Sequence, residues 1–249
     1  MELIGTTALI TGAGRRLGAA CALALANAGV TTTLHYGHSK AAASTLTEQI
    51  QQAGGMAFTL AADLADPEQA TALLPRAAAV MGRVDILVNS AAIFEPGRID
   101  DTEWTSWQRH LAINLTAPFL LTQSFAQQPH LHRKNGAGVR GKVINMLDQR
   151  IRHPRSGHLA YTTAKSALWS VTQMAALELA PTILVNAIAP GPILAAPDAS
   201  QEQFQRIAAT TPAGRSGTPK EITDTLLFLL RHDYMTGEMV CVDGGEHLL

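Results

Sequence analysis

The stretch TTALITGAGRRLG, residues 6–18, decides the fold of this chain. Residues 6–11 are apolar or β-branched, as in a short buried strand, and the residues from 17 onwards repeat with helical periodicity. Gly12 permits a tight turn between the two, and the backbone amides that follow point to the N-terminus of the helix, where a pyrophosphate is stabilised. A strand, a glycine turn and a helix in this order predict a pyrophosphate-binding turn.

Strand-like and helix-like stretches alternate along the rest of the chain. Strands are predicted at 6–11, 30–36, 56–62, 84–90, 142–147, 182–189 and 238–242, and Ala-rich or amphipathic helices near 17–28, 40–53, 67–81, 101–128, 159–180 and 219–231. Because several of the strands are apolar on both faces, helices are expected to cover the sheet on each side. Right-handed crossovers then predict an α/β fold: a single-domain, Rossmann-type, doubly wound parallel sheet of about seven strands over residues 1–249.

Composition and patterning exclude several classes of protein. Of the 249 residues, 47% are hydrophobic and 16% charged, and the net charge of −1 gives no attraction to nucleic acid or to an anionic membrane. The N-terminus has no basic region before its first strand, so no signal peptide is predicted. The apolar stretch 182–197 is interrupted by Asn186 and three prolines, so no membrane span is predicted. A cytoplasmic protein with a small-molecule substrate is expected.

The nine histidines and two cysteines predict no metal site. The histidines show no HxxxH or HExxH spacing, and Cys21 and Cys241 lie far apart without a CxxC pattern. We expect both cysteines to be buried as small hydrophobic residues.

Two longer stretches are predicted as loops. Residues 127–141 are basic and contain glycines, as in a solvated surface loop. Residues 191–217 have a short helical middle between ends rich in Pro and Gly. This composition is typical of a lid over a site at the carboxyl edge of the sheet.

Motifs that follow one another along the chain carry a resemblance to a known family. They are Thr11, Gly12 and Gly18 in the turn, Asp63 in ADL, Asn89 in NSAA, Asn114, Tyr161 and Lys165, the PG pair at 190–191, and DGG at 243–245. Together they resemble the short-chain dehydrogenase/reductase family over essentially the whole chain. The resemblance implies a nicotinamide cofactor and catalysis that involves Asn114, Tyr161 and Lys165. It also implies a homotetramer or dimer built through the helices near 101–128 and 159–180, and we expect the homotetramer.

At three positions the sequence departs from the usual family pattern, and these departures indicate a smaller group within the family. Arg16 occupies the position of the middle glycine in the turn, NSAA replaces NNAG, and Asp148 stands where the family has its catalytic Ser. With Phe94, an aromatic residue after the fourth strand, they resemble the pteridine reductases and the related dihydromonapterin reductases. The residues that this resemblance brings to the substrate are Arg16, Phe94, Asp148 and Tyr161.

The end of the second predicted strand indicates which nicotinamide cofactor binds. NAD-preferring enzymes carry an acid there to hold the ribose hydroxyls, but LHYGHSK at 34–40 contains none. Cationic or hydroxyl donors that suit a 2′-phosphate are present instead, at Arg15, Arg16, His38, Ser39 and Lys40. NADPH/NADP+ is therefore the predicted cofactor. Its predicted contacts are Gly12, Arg15, Arg16, Leu17, His35, Tyr36, His38, Ser39, Asp63, Leu64, Asn89, Ser90, Ala91, Tyr161, Lys165, Pro190, Gly191 and Ile193.

Tyr161 and Lys165 are predicted to serve proton transfer. At i and i+4 they share one helix face, so the ammonium is expected to lie near the phenol. This ammonium, together with the positive charge of the oxidised nicotinamide, favours the phenolate, so we expect the pKa of Tyr161 to fall below its ordinary value of about 10. Tyr161 then acts as a proton donor near neutral pH. By resemblance, Lys165 also binds the nicotinamide ribose, and Asn114 positions Lys165 through a water.

The acid at position 148 decides between two kinds of substrate. The Ser of the family donates a hydrogen bond to a ketone oxygen that becomes negative, whereas an ionised Asp has no proton to donate. Two negative charges about 4 Å apart repel by ~4 kcal/mol at an effective dielectric constant of about 20, or about three powers of ten in rate. Either burial keeps Asp148 protonated, or the reduced bond is C=N, whose nitrogen takes up a proton. We favour the C=N bond of a pterin or dihydropterin.

The surroundings of this acid leave alternatives open. Phe94 is interpreted as a platform for a flat heterocycle, and the alternative is a loop residue that packs on the lid. Residues 149–158 contain three arginines and two histidines, which either hold an anionic group of the substrate or form a solvated loop. Two other functions stay open: an NADPH-dependent carbonyl reductase, for example of 3-oxoacyl thioesters, and a non-catalytic NADP(H)-binding sensor.

Overall fold

A parallel sheet forms the centre of the molecule. The computed structural model describes residues 1–132, 138–195 and 200–249. Its strands are β1 (Thr7–Ile10), β2 (Thr31–Tyr36), β3 (Ala57–Ala61), β4 (Ile86–Asn89), β5 (Gly141–Met146), β6 (Ile183–Pro190) and β7 (Met239–Val242). They pair in the order β3-β2-β1-β4-β5-β6-β7, and every pairing is parallel. The predicted doubly wound sheet is confirmed.

Helices connect the strands and cover both faces of the sheet. The described α-helices are α1 (Arg16–Asn27), α2 (Lys40–Gln52), α3 (Pro67–Met81), α4 (Trp104–Leu111), α5 (Ala117–Ala126), α6 (Leu159–Leu179), α7 (Gln201–Ala209) and α8 (Pro219–Arg231). The prediction of one continuous helix near 101–128 is wrong, because a π-helix at Ala112–Thr116 separates α4 from α5. Pro118 has no amide hydrogen to donate to the carbonyl four residues earlier, which interrupts the α-helical ladder at this point.

Alternate side chains of β1 lie in two different hydrophobic cores, one on each face of the sheet. Ala8 and Ile10 of β1 belong to the core that includes α1 and α8, and Leu9 between them belongs to the core that includes α3 and α5. Leu25 of α1 and Leu121 of α5 are completely buried in these two layers. Full burial of such a side chain stabilises the fold by about 1.5–3 kcal/mol. The cores therefore hold the strand ends, on which the site depends, in fixed positions.

The predicted site segments lie at one edge of the sheet. The strand order reverses between β1 and β4, and in such sheets a ligand binds in the crevice outside the carboxyl ends of the strands. The turn after β1, the segment after β4 and the residues after β5 all begin at this edge, as do the residues after β6.

The two predicted loops are described in part. Residues 133–137 of the basic loop and 196–199 of the lid lie outside the described residues. The helical middle of the lid is present as α7, whose N-cap Ser200 accepts a hydrogen bond from the amide of Gln203. Within the described ranges, no helix combines the length and the apolar character needed to cross a membrane.

Candidate active site

The turn after β1 is built from close backbone contacts. Thr11 Oγ1 accepts hydrogen bonds from the amides of Ser90 (2.9 Å) and Ala91 (3.0 Å), which ties the turn to the segment after β4. Gly12 has a positive φ of 64°, and a Cβ added there would lie 2.8 Å from the Cα of Ala91. A Cβ added at Gly18 would lie 2.3 Å from the carbonyl oxygen of Gly12. Both positions therefore require glycine, and the resulting turn leads directly into the N-terminus of α1, which suits a phosphate.

His35 supports this turn from β2. Its Nδ1 accepts a hydrogen bond from the amide of Gly12 (3.2 Å), so Nε2 carries the proton and donates to the carbonyl of Ala62 (3.1 Å). Burial lowers the pKa of the imidazole, which stabilises the neutral form that this pattern needs. Since the ring is buried and both nitrogens are engaged, His35 positions the turn. Its predicted contact with the cofactor stays a prediction.

Arg16 stands at a strained backbone position in the same turn. Its φ of 54° lies in the left-handed region, which glycine adopts freely and another L-residue only at a cost of about 1–2 kcal/mol. The guanidinium donates from Nη1 to the carbonyl of Ala195 (2.7 Å) and from Nη2 to the carbonyl of Leu194 (3.1 Å). Arg16 therefore joins the turn to the first residues of the predicted lid. The sequence contains no signal for that contact.

The other residues predicted to bind the cofactor lie around the turn and along the same edge. A Cβ added at Gly14 would lie 2.5 Å from the Oγ of Ser39, so the loop after β2 touches the turn. The exposed members of the predicted set are Arg15, His38 and Asp63. The half-buried members are Leu17, Tyr36, Ser39, Ser90, Ala91, Pro190 and Gly191. The fully buried members include Leu64, Asn89 and Ile193.

Asn114 is completely buried in the π-helix, an element that is often found at functional sites. Its Oδ1 accepts a hydrogen bond from the amide of Ile93 (3.0 Å), and its Nδ2 donates to the carbonyl of the same residue (2.9 Å). These two bonds fix the segment that carries Phe94. A water-mediated role of Asn114 toward Lys165 stays a prediction, and the ammonium of Lys165 donates to the carbonyl of Met146 (2.6 Å).

Asp148, Tyr161 and Lys165 form a group of titratable side chains that we call the relay group. Asp148 follows β5, and its Oδ1 accepts a hydrogen bond from the amide of Arg150 (2.8 Å). Its Oδ2 accepts one from the hydroxyl of Tyr161 (2.9 Å). Tyr161 and Lys165 lie one turn apart in α6, both buried, and the ammonium lies 5.9 Å from the centroid of the phenol ring. The structure thus brings the three predicted side chains together, with the acid bonded directly to the phenol.

Burial shifts pKa values in the relay group in opposite directions. Burial, the charge of Asp148 and the hydrogen bond to it raise the pKa of Tyr161 well above 10. In the chain by itself, desolvation of the phenolate and the adjacent carboxylate dominate. The fall expected beside the oxidised nicotinamide stays a prediction. Burial also lowers the pKa of Lys165 to about 8, although the charge of Asp148 acts in the other direction. Near neutral pH the group therefore contains a protonated phenol and a charged ammonium.

Phe94 is a partly exposed ring with one face covered. His158 stacks on it with ring centroids 3.9 Å apart and an interplanar angle of 14°, and Tyr161 meets it edge-on at 4.7 Å. The guanidinium carbon of Arg150 lies 5.5 Å from its centroid. Because His158 occupies one face, the predicted platform can serve a heterocycle on the other face only.

A second polar group surrounds the DGG motif. Ligand atoms of Cys241, Asp243 and His247 lie within 4.8 Å of one another. Asp243 accepts hydrogen bonds from the amides of Gly245 (3.0 Å) and His247 (2.7 Å) and contacts the His247 ring at 2.8 Å, which explains the close approach as the cap of a short turn. The absence of a metal site stays a prediction. Of the two cysteines, Cys21 is buried as expected, but Cys241 is only partly buried because it lies on the edge strand β7.

The family model and the known proteins that match this chain do so over nearly its whole length. Residues 12–247 match a family model described as enoyl-(acyl carrier protein) reductase. Pteridine reductase 1 of Leishmania tarentolae is 34% identical, covering 97% of this chain and 96% of that protein. The 3-oxoacyl-[acyl-carrier-protein] reductase of Synechocystis sp. is 32% identical, covering 98% of this chain and 97% of that protein.

Solved structures are similar as well. The FolM alternative dihydrofolate reductase 1 from Brucella canis, complexed with NADP, superposes with a TM-score of 0.92 at 31% identity, covering 100% of this chain and 96% of that chain. The sheet order, the glycine turn, the relay group and these similarities lead to one assignment. The chain belongs to the short-chain dehydrogenase/reductase family of oxidoreductases, which use nicotinamide cofactors.

Proposed function

We propose that this chain is an NADPH-dependent reductase of the C=N bond of a pterin or dihydropterin, similar to pteridine reductases. The observation that carries the proposal is the hydrogen bond of 2.9 Å from the hydroxyl of Tyr161 to Oδ2 of Asp148. It places a phenol that keeps its proton and an acid side by side in the crevice, next to the ring of Phe94. The similarities to the pteridine reductase of Leishmania tarentolae and to FolM of Brucella canis support it.

The residues around the turn fit a nicotinamide dinucleotide with a 2′-phosphate. The glycine turn presents the N-terminus of α1 to a pyrophosphate, and the exposed Arg15 of the turn and His38 and Lys40 after β2 offer cationic donors for a 2′-phosphate. The Oδ1 of Asn89 is buried at the same edge without a hydrogen-bond partner among the described residues, so it offers an acceptor to a ligand. When bound, NADPH supplies the hydride.

Lys165 is proposed to hold the cofactor ribose and to keep the crevice positive. Its ammonium donates to the carbonyl of Met146, which fixes its position and leaves further N–H groups for a ligand. With a pKa of about 8, it carries its charge at neutral pH despite burial.

Tyr161 and Asp148 are proposed to deliver the proton. Reduction of C=N adds a hydride to carbon and a proton to nitrogen, so one proton must reach the substrate in each turnover. The substrate nitrogen takes this proton from the hydroxyl of Tyr161, and the phenol regains one through Asp148, which is half-buried and therefore connects the pair to solvent. Asp148 is essential to this route, because its carboxylate must take up a proton from solvent in each turnover and pass it to Tyr161 as the phenol gives up its own.

Carbonyl reduction is the second candidate, supported by the similarity to the 3-oxoacyl reductase of Synechocystis sp.. Both carboxylate oxygens of Asp148 accept hydrogen bonds, one from Tyr161 and one from the Arg150 amide, an arrangement that suits the ionised acid. An ionised Asp148 repels the oxygen of a ketone as that oxygen becomes negative, by ~4 kcal/mol at about 4 Å. This repulsion disfavours the second candidate.

Oxidation of NADPH with different acceptors tests the proposal. We expect turnover with dihydrobiopterin or dihydromonapterin and little with an acetoacetyl thioester. Asp148→Ser is expected to lower pterin turnover about 100-fold and to raise turnover of the thioester, since it restores a donor for a carbonyl oxygen. Asp148→Asn, which keeps the shape and removes the charge, is the matched control for the acid.

Three results contradict the proposal. Turnover of the thioester alone would assign carbonyl reduction, and undiminished pterin turnover in Asp148→Ser would remove the role of the acid. Tight NADPH binding without turnover of any acceptor would assign a non-catalytic sensor.

A homotetramer is proposed for the assembly. Phe119 on α5 and Met174 and Leu177 on α6 expose apolar side chains on the two helices that the family resemblance places at subunit contacts. Light scattering is expected to give four times the chain mass of 26.4 kDa, and a monomer would contradict this arrangement.

A further inference from the structure

Two histidines hold the residue that follows Phe94. His110 lies in α4, and its Nε2 accepts a hydrogen bond from the amide of Glu95 (3.3 Å). His158 directly precedes α6, and its Nδ1 donates to the carbonyl of the same residue (3.1 Å). Both backbone groups of Glu95 are therefore bonded to side chains, and these come from two separate parts of the chain.

The residue that precedes Phe94 is held in the same manner. Asn114 bonds both the amide and the carbonyl of Ile93. His110 and Asn114 are four positions apart, so they project from one face of the same helical stretch. The backbone on both sides of Phe94 is thus bonded to buried side chains, which fixes the place from which the ring projects.

The hydrogen bonds of His110 assign its tautomer. Its Nδ1 donates to the carbonyl of Ser106 (2.8 Å), so Nε2 carries no proton and accepts from Glu95. The ring is 1% exposed, and both nitrogens are bonded to the backbone. Burial lowers the pKa of His158, and the charge of Arg150 acts in the same direction, so this second ring is neutral near neutral pH as well.

His158 also contacts the ring of Phe94 itself. It stacks on one face with ring centroids 3.9 Å apart. The amide of Gly97 donates to the carbonyl of Gly157 (2.8 Å), and the amide of Leu159 donates to the carbonyl of Gly97 (3.0 Å). The platform and its support are thereby tied to the start of α6, the helix that carries the phenol of the relay group.

These contacts relate both histidines to the proposed substrate. A flat heterocycle gains most from a ring that is already ordered, because that ring loses no rotamer freedom on binding. The heterocycle must also bring its C=N nitrogen to the hydroxyl of Tyr161, which meets the ring of Phe94 edge-on at 4.7 Å. Resting on the proposed function, we infer that His110 and His158 are positioning residues: they hold Phe94 so that a flat substrate stacks on its free face within reach of Tyr161.

Substitutions of His110 test the backbone contact. His110→Leu removes the acceptor from the amide of Glu95, and His110→Gln keeps an acceptor oxygen near the position of Nε2. Calorimetry of the NADP+-loaded protein is expected to show dihydrobiopterin binding about tenfold more weakly to His110→Leu, and within about threefold of wild type to His110→Gln. NADPH affinity should change less than about twofold, because the bonds of His110 go to Ser106 and Glu95 and not to the glycine turn.

Arg109→Met is the matched control for His110→Leu. Arg109 is the neighbouring residue of α4 and contacts the same residue, through the carboxylate of Glu95 at 2.8 Å. Both side chains of this ion pair are exposed, and such pairs contribute little. The affinity for dihydrobiopterin should therefore stay at the wild-type value.

Substitutions of His158 separate its two contacts. His158→Phe keeps a ring against Phe94 and removes the donor to Glu95, whereas His158→Asn keeps a donor and removes the ring. Each is expected to weaken dihydrobiopterin binding by about threefold to tenfold. His153→Phe, on an exposed side chain of the same loop, should not weaken it.

Hydrogen exchange followed by mass spectrometry reports on the platform without a substrate. Residues 93–97 should exchange faster in His110→Leu than in wild type or Arg109→Met, because the amide of Glu95 loses its acceptor. His158→Phe, which keeps a ring in place, supplies the same measurement if His110→Leu does not fold.

The outcomes separate this inference from the proposed function. Unchanged exchange in His110→Leu, or dihydrobiopterin binding that His110→Leu leaves unchanged, would overturn the role of the histidines but not the reductase. Faster exchange in His110→Leu together with no turnover of any pterin by the wild-type protein would support that role and contradict the reductase.

Discussion

The glycine turn at residues 11–18 and the relay group lie at the same edge of the sheet but are built by opposite means. In the turn, backbone atoms approach so closely that a Cβ at Gly18 would lie 2.3 Å from a carbonyl oxygen. In the relay group, burial raises the pKa of Tyr161, which Asp148 raises further, and lowers the pKa of Lys165 to about 8. Changes at the turn are therefore expected to act through shape and on cofactor binding. Changes in the relay group should act through charge and proton position, and on turnover.

Tyr161→Phe is expected to have the largest effect and to affect turnover alone. The substitution removes the hydroxyl that donates to Asp148 but keeps the ring that packs edge-on against Phe94. Loss of a positioned proton donor lowers turnover by about 100-fold to 10,000-fold. NADPH affinity, measured by fluorescence titration, should change less than about threefold, since the shape of the crevice is kept. Tyr234→Phe, on a fully exposed side chain, is the control, and a comparable loss there would indicate a general defect.

Gly18→Ala is expected to weaken NADPH binding strongly, because the change is in the turn and not in the relay group. The added methyl group meets the backbone of Gly12, so the turn must open and NADPH should bind about 100-fold more weakly. Gly37→Ala is the matched control, because a Cβ there would lie 3.8 Å from its nearest neighbour, the carbonyl of Ala62, in ordinary contact. Equal loss in both variants would show that nearness to the crevice, rather than the close approach at Gly18, determines affinity.

The comparison also explains which features the sequence could predict. The order of strands and helices follows from local hydrophobic periodicity, so the sequence predicts it. The turn at Gly12 is also predictable, because a tight turn with a positive φ favours glycine. The rise in the pKa of Tyr161 in the chain by itself does not follow from the spacing of Tyr161 and Lys165, because it depends on burial and on an acid thirteen positions earlier in the chain. The contact of Arg16 with Leu194 and Ala195 joins residues almost 180 positions apart, and no local pattern encodes it.

The pH dependence of NADPH binding tests whether the charge of Lys165 contributes to that binding. Lys165 is protonated below its pKa of about 8 and neutral above it, so its attraction for the anionic cofactor is lost as pH rises through that value. The kcat/KM for NADPH reports the free enzyme and should fall about tenfold for each pH unit above 8. Lys165→Met should be low at all pH values, without this alkaline decrease. A wild-type profile that is flat across this range would mean that the Lys165 charge does not govern binding.

Arg16 combines a strained backbone conformation with a charged side chain, and two substitutions separate these two contributions. Arg16→Ala removes the guanidinium but keeps a Cβ at a φ of 54°, whereas Arg16→Gly removes the guanidinium and also the strain. If the guanidinium binds the 2′-phosphate, both variants should lose about tenfold more affinity for NADPH than for NADH. Equal losses for the two cofactors would contradict that assignment.

The backbone strain at position 16 should affect the melting temperature but not the choice of cofactor. This difference in melting temperature between Arg16→Gly and Arg16→Ala is the smallest effect we expect. Both variants lose the bonds to Leu194 and Ala195, so these bonds cancel when the two are compared. Relief of about 1 kcal/mol of strain in Arg16→Gly should place its Tm about 2–4 °C above that of Arg16→Ala. Equal Tm values would mean that the backbone at this position relaxes once the guanidinium is gone. The left-handed conformation would then be imposed by the contact with Leu194 and Ala195 rather than by the turn.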